Sequence, residues 1–357
     1  MKLALAHEYL IKMGGAERVL LDLLEEFNDP AIFTFLLDRD KLAPKLRDKP
    51  NIYTSYLNNY PFSKSLYRYF FPLMPEATES FDLQGFDVVL TLSHQFMKGI
   101  ITPQKTLHIS YIYTPTRFLW LEHKEPFFLK STFKNLREWD FLAAQRPDVI
   151  FAPCQNVAKR IKKYYGRKAK VIYCGIHTEN FQIAEPKDYF LLTSRLEPHK
   201  KTELALLAFK SLPYKLKIVG EGSEYPKLKK LAQNAKNIEF LGFVPDEELK
   251  KLYAQSLALI FPQEEDFGLV PLEAQASGRP VIAYGKGGVL ETIKENETGI
   301  FFAKPVPGSL VKAVENFKSD YFDPQKIREW AKNFDSSNFK KNMREAVEEE
   351  LNKFRAR

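Results

Sequence analysis

What most limits the fold of this chain is that short apolar runs alternate with amphipathic segments, and that the alternation happens twice. KLALAHEYL is followed by AERVLLDLLEEF, and then by FDVVLTLS, TLHISYIY, DVIFAPC, NVAKRIKKYYG and KVIYC. Strand patterns alternating with helix patterns predict a parallel sheet wrapped by helices. After the polar stretch HTENFQIAEPKD the series starts again with YFLLTSRL, TELALLAFKSL, KLKIVGEG, EYPKLKKLAQNA and IEFLGFV, then DEELKKLYAQS, LALIFP, LEAQASG, VIAYG and LETIKE. The prediction is an α/β protein of two doubly wound domains, residues 1–182 and 183–334, joined near 182–188. Ligands are expected where strand C-termini face a cleft. The acid- and base-rich tail at 335–357 reads as an amphipathic helix that packs back on the first domain.

Composition narrows the class. With 357 residues, 45% hydrophobic and 14% aromatic, the chain can bury two ordinary cores, which argues against disorder. No run of eighteen apolar residues occurs, so no membrane span is expected. His7 and Glu8 interrupt the apolar start before a signal-type core forms, and MKLALAHEYL reads as a first strand. Cys154 and Cys174 lack metal-ligand spacing; two thiols in a chain this size fit structural roles in a reducing, cytoplasmic compartment. A net charge of +8 favours anionic partners without choosing among nucleic acid, acidic headgroups and nucleotide diphosphates. Zinc-finger spacing, an RNP-like aromatic strand and an isolated basic arm are all missing, which argues against nucleic acid. YPFSKSLYRYFFPLMP at 60–75 and KEPFFLKSTFKNLREW at 124–139 interleave aromatics with cations. A buried aromatic cluster and a membrane-surface contact account for them equally well.

Chemistry concentrates in EEDFGLVPLEAQASGRP, Glu264 to Pro280. LALIFP before it reads as a buried strand, so DFGLV is a strand-to-helix turn. The helix is expected from about Pro271, where a missing N–H costs nothing, to Ser277, with Gly278 at its end. Such a helix N-terminus is an anion site. Glu265 on the loop and Glu273 in the first turn would flank the anion and bind neutral hydroxyls beside it, and phosphate plus hydroxyls points to a sugar nucleotide. Acidic residues also complement a helix dipole, so the loop alone does not decide. SRLEPHKK, Ser194 to Lys201, puts Arg195 and Lys200 at a strand C-terminus, one suited to bidentate phosphate contact and the other a point charge. A solvated charge cluster would look the same. GEGSE at Gly220–Glu224 and GKGG at Gly285–Gly288 are turns of a kind every α/β fold needs. MGGAER sets Gly14 and Gly15 between the first strand and first helix, where backbone can approach a phosphate.

The ordered set is more specific than its parts. Gly-Gly-Ala-Glu after the first strand, Arg-x4-Lys opening the second domain and Glu-x-Phe-Gly-x4-Glu together resemble the retaining glycosyltransferases of family 4, which have the GT-B architecture of two Rossmann-like domains facing a cleft. LSHQFMKG, HISYIYTPTRFLW and REWDFLAAQRPDVIFAPCQNVAKRIKKYYG resemble the branch that builds bacterial O-antigen and exopolysaccharide chains with mannose. The resemblance implies that Arg195 and Lys200 hold the donor diphosphate, with Gly14, Gly15 and the Phe267, Gly268 and Leu269 backbone nearby. It implies that Glu273 accepts from ribose hydroxyls and that Glu265 binds the transferred sugar and steadies positive charge at its anomeric carbon.

The family commonly has a histidine where this chain has Tyr113, before Thr114-Pro115. His94, after LTL, is another cleft candidate and equally reads as structural. The implied activity is metal-independent, cofactor-free transfer of a hexose, mannose from GDP-mannose, to a polyprenyl-diphosphate-linked or growing oligosaccharide at the inner face of a membrane. A sugar-nucleotide epimerase of the same architecture is the alternative, and a basic nucleic-acid-binding protein a more distant one.

Overall fold

The structure, a computed structural model, describes residues 1–121 and 129–357. The chain forms two compact units, Met1–Cys174 with Phe339–Arg357, and Gly175–Asn338. The chain thus leaves the first unit upstream of the polar stretch expected as the junction. The reason is local pairing: the Ile176 amide donates to the Phe334 carbonyl, and the Ser336 amide donates to the Ile176 carbonyl.

The first unit is built on a seven-stranded parallel sheet. Its strands are β1 (Leu3–Leu10), β2 (Ala31–Leu37), β3 (Ile52–Thr54), β4 (Val88–Ser93), β5 (Leu107–Ile112), β6 (Val149–Ala152) and β7 (Lys170–Val171), in the order β3-β2-β1-β4-β5-β6-β7. All eight residues of β1 are buried, as expected for a parallel strand covered on both faces, and Leu5 lies between Ile32 and Leu90 in register. The order reverses between β1 and β4. In the helix Gly15–Glu26 the buried Val19, Leu20, Leu23 and Leu24 recur at helical spacing and form the stripe that packs inward.

The helix Ser336–Arg355 enters this unit at Phe339 and contributes Phe339, Met343, Ala346, Val347 and Leu351, all buried. Phe339 meets the ring of Tyr111, and Arg344, Lys340, Lys170 and Arg355 make ion pairs that tie the helix to Glu26, Glu25 and Asp87 and, through Glu349, to β7. The tail therefore braces the first unit.

The second unit holds a six-stranded parallel sheet of β8 (Phe190–Thr193), β9 (Leu216–Val219), β10 (Ile238–Gly242), β11 (Leu259–Phe261), β12 (Val281–Tyr284) and β13 (Gly299–Phe302), ordered β10-β9-β8-β11-β12-β13. Its core gathers Phe190, Leu206, Phe209, Ile218, Ile260 and Ile282. Fully burying one such side chain is worth about 1.5–3 kcal/mol. The order reverses between β8 and β11, and in open parallel sheets ligands bind beyond the strand C-termini at such a reversal.

The two aromatic-basic segments separate. Within 60–75, Ser63 and Met74 are buried while Phe62 and Tyr69 stand out in solvent. Of 124–139, residues 124–128 lie outside the described residues. From Lys130 on, a helix turns Phe133 and Leu136 into the core. Among the described residues no helix is long and apolar enough to cross a membrane.

Candidate functional site

In the second unit, β8 and β11 lie side by side and each feeds one of the two charged motifs. After Thr193 the chain turns through Ser194–Lys201. Arg195 is exposed and has no ion pair among the described residues; Lys200 closes a single 3₁₀ turn, Pro198–Lys200. Lys201 follows with φ of 52°, a left-handed turn that redirects the chain into the helix Thr202–Phe209. After β11, Pro262–Gly268 leads into the helix Leu269–Ala276. That helix starts two residues before the expected Pro271, because Gly268 takes a left-handed φ of 91° and lets the turn close earlier. Pro271 still falls within the first turn, where its missing N–H is not needed.

The two loops meet at their charges. Lys200 Nζ and Glu265 Oε1 form an ion pair, with side chains 15% and 21% exposed. Residues 65 positions apart in the chain are therefore neighbours. A partly desolvated pair of this kind is mutually neutralised until an outside charge competes for one member. Glu273 lies deeper, 8% exposed, and its Oε2 accepts a 2.8 Å hydrogen bond from the Tyr253 hydroxyl. Tyr253 comes from the helix Asp246–Gln255 and is itself buried. Phe267 is buried against the ring of Phe334, which anchors the loop between the two carboxylates, and Leu269 opens the helix.

The glycine turns have a definite task here. Gly220 has φ of 125°, and a Cβ there would meet the Ser194 carbonyl oxygen at 1.9 Å. At Gly287, φ of 86°, it would meet the Glu265 carbonyl oxygen at 2.3 Å. The next amide, of Gly288, donates to that same Glu265 carbonyl at 2.9 Å. GEGSE thus seats against the Arg195 loop and GKGG against the Glu265 loop, and only glycine permits either approach. Sequence reading treated both as ordinary turns.

In the first unit the corresponding reversal lies between β1 and β4. Gly14 precedes the helix Gly15–Glu26, and the Tyr113 hydroxyl donates to the carbonyl of Ala16 at 3.4 Å, which joins the Gly-Gly turn to the end of β5. Thr114 is buried, and its Oγ1 has no hydrogen-bond partner among the described residues. His94 follows β4, edge-on to the ring of Tyr9, and burial lowers its pKa.

Sequence reading missed the groups that organise this end. His7, wholly buried, meets Glu17 Oε1 at 3.2 Å through Nε2, while its Nδ1 has no hydrogen-bond partner among the described residues. Burial alone would raise the Glu17 carboxyl, yet the hydrogen bond and charge of His7 and a backbone hydrogen bond hold it below its usual range. Glu8 accepts from Ser93 Oγ and from the amides of His94, Gln95, Phe96 and Met97, and so fixes the turn after β4. The available signal was His7-Glu8 itself, two polar residues inside an otherwise apolar strand.

Comparison with known proteins supplies the family. Residues 13–180 match the family model "Glycosyltransferase Family 4" and residues 175–334 match "Glycosyl transferases group 1". The chain belongs to the family 4 glycosyltransferases. The glycosyltransferase resembles a GDP-mannose-dependent alpha-(1-6)-phosphatidylinositol monomannoside mannosyltransferase of Mycobacterium tuberculosis, 35% identical over 212 residues, 48% of this chain and 55% of that protein. It also resembles the O-antigen chain mannosyltransferase of Salmonella typhimurium, 31% identical over 171 residues, 44% of this chain and 48% of that protein. The chain spans about half the length of the curated relatives it matches. A sucrose-phosphate synthase structure from Thermosynechococcus elongatus aligns with the glycosyltransferase at a TM-score of 0.78 and 17% identity, over 97% of this chain and 98% of that one, a likeness of GT-B fold.

Proposed function

We propose that the chain is a retaining, metal-independent hexosyltransferase that moves mannose from GDP-mannose to a polyprenyl-diphosphate-linked or growing oligosaccharide, working at the inner face of a membrane. The observation that carries the reading is the meeting of Lys200 with Glu265 at the sheet reversal of the second unit, on the loop that also carries the exposed Arg195. An incoming diphosphate competes with Glu265 for Lys200, and Arg195 adds a second cation. Glu265, released, turns to the hexose, where it binds hydroxyls and offsets the positive charge that grows at the anomeric carbon. The cations stabilise the departing diphosphate by fixed electrostatics, the task a metal ion performs elsewhere. Glu273, positioned by Tyr253, accepts from the ribose. The amides of Phe267, Gly268 and Leu269 and the Gly14-Gly15 turn approach the phosphates, and His94, Tyr113 and Thr114 are on the acceptor side.

Mannose and its GDP carrier are favoured because both of the relatives named above are mannosyltransferases by name and the mycobacterial one is described as GDP-mannose-dependent. The test is a thermal-shift screen of GDP, UDP and ADP sugars, followed by product analysis with a lipid-linked acceptor in the presence of EDTA. GDP-mannose should give the largest shift, and the product should keep the donor's anomeric configuration with chelator present. An inverted product, or activity that requires added Mg²⁺, overturns the mechanism. Incubation of donor without acceptor also separates a transferase from an epimerase, which would convert the nucleotide sugar unaided.

A further inference from the structure

Between Asn51 and Pro75 the only charged residues are Lys64 and Arg68. From Ser63 the backbone is helical almost without a break: the α-turn Ser63–Leu66, the 3₁₀ turns Tyr67–Tyr69 and Phe71–Leu73, and the helix Met74–Glu79. Phe62, the left-handed cap of the first turn, is followed by Leu66, Tyr69 and Leu73 in the three successive turns, at spacings of four, three and four. All four are exposed, Phe62 by 75% and Tyr69 by 76%, and Tyr60 joins them. The inward residues hold the segment firmly. Met74 is fully buried, Tyr67 packs on Tyr9, and Phe71 packs on Phe118 and Phe133. Phe62 also has φ of 58°, a left-handed conformation that costs a bulky residue about 1–3 kcal/mol. A water-facing loop gains nothing from a phenylalanine there.

We propose that the face formed by Tyr60, Phe62, Leu66, Tyr69 and Leu73, flanked by Lys64 and Arg68, docks on an anionic phospholipid bilayer. The aromatic and leucine side chains enter the interface, and the two cations meet headgroup phosphates. The absence of any carboxylate across 51–75 is the charge complement such a surface requires. The inference deepens the functional reading above and rests on it for the choice of a bilayer over a protein partner.

The test is cosedimentation of the full chain with vesicles of phosphatidylglycerol and phosphatidylcholine in equal parts, against vesicles of phosphatidylcholine alone. Wild type should bind the anionic vesicles more tightly, and less so as salt rises. F62S/Y69S should lower binding by about tenfold or more through lost apolar burial, and K64E/R68E by a similar factor through charge. These side chains are exposed, so both variants should melt as wild type does. Wild-type protein that ignores anionic vesicles, or either double variant binding as wild type does, overturns the proposal. So does sedimentation velocity that finds a wild-type dimer made monomeric by F62S/Y69S, since the face would then cover a second copy. Stabilisation by GDP-mannose, read without vesicles, separates the two readings: loss of vesicle binding with that shift intact refutes only the docking face.

Discussion

The sheets of the two units have the same reversal of strand order but bury different side chains. Strands of the first unit carry His7, Glu8, Thr34, Thr91, Ser93, His108 and Ser110, all essentially inaccessible. The buried strand positions of the second unit are apolar throughout, as in Phe190, Leu192, Ile218, Ile260 and Ile282. The charged residues of its candidate site, Arg195, Lys200 and Glu265, lie beyond the strands. The difference sets what each group can do. A loop-mounted charge can change partners when a ligand arrives. A polar group inside a strand bears on stability instead: Glu8 is satisfied within the fold, whereas His108 leaves unpaired nitrogens in a low-dielectric interior, which is costly. Substitutions at second-unit loops should therefore change turnover and binding, and substitutions in first-unit strands should change stability, downward where a satisfied group is lost and not where an unpaired one is removed.

The largest effect is expected at Lys200. Lys200→Ala removes the cation proposed to meet the diphosphate, and turnover should fall by roughly 100-fold or more while the melting temperature holds. Near-normal turnover in a steady-state assay would remove Lys200 from the diphosphate site.

Glu265 and Glu273 test the loop side more finely. In Glu265→Gln, Lys200 loses its charged partner and is freed for phosphate, so calorimetric GDP affinity should stay or rise while turnover drops sharply. Glu273 is buried and pre-positioned by Tyr253, so Glu273→Gln should weaken GDP binding by roughly tenfold, the scale of one charge-assisted hydrogen bond. The opposite pattern, with GDP affinity lost in the Glu265 variant and kept in the other, would exchange their roles.

These contrasts also account for what was readable in the sequence. The repeated strand-helix pattern made the two sheets legible, because burial on both faces leaves continuous apolar runs. Glu265, Glu273, Arg195 and Lys200 were legible because each pair sits in one local motif with fixed spacing. Their contact across the sheet reversal was not, since Lys200 and Glu265 belong to separate motifs and only strand order brings them together. Tyr253 was hidden for the same reason, as was the support that Gly220 and Gly287 give to loops distant in sequence. In the first unit, Glu8 serves residues 85 to 89 positions away, and no periodicity reports such a bond. The early helix start at Leu269 depended on one left-handed glycine, a conformation that Gly268 permits and does not require.

The strand side of the comparison can be tested at Glu8. Its carboxylate accepts from one hydroxyl and four amides, all donors. Glu8→Gln replaces one oxygen by an NH₂ that faces those N–H groups, so the first unit should lose roughly 2–3 kcal/mol in chemical denaturation. Unchanged denaturation would show that the turn after β4 is held by other contacts.

The smallest effect concerns pH. His108 on β5 is buried, and neither ring nitrogen has a hydrogen-bond partner among the described residues. Burial, with Arg146 and Arg167 adding like charge, pushes its pKa from the ordinary 6.5 down to about 3. The folded state therefore keeps this ring neutral while the unfolded chain takes up a proton below pH 6.5. A depressed folded-state pKa gives stability that is fully present above the unfolded value and is lost progressively as pH falls toward about 3. Between pH 7 and pH 5 the loss from this one group should be about 2 kcal/mol. His108→Leu forfeits no hydrogen bond and cannot protonate, so its stability should match or exceed wild type at pH 7 and decline less on acidification. Melting both proteins across that range isolates the contribution, because every other titrating group is common to the two. Parallel pH profiles would mean that His108 is solvated or paired, and would remove it from the set of buried groups that distinguishes the first sheet from the second.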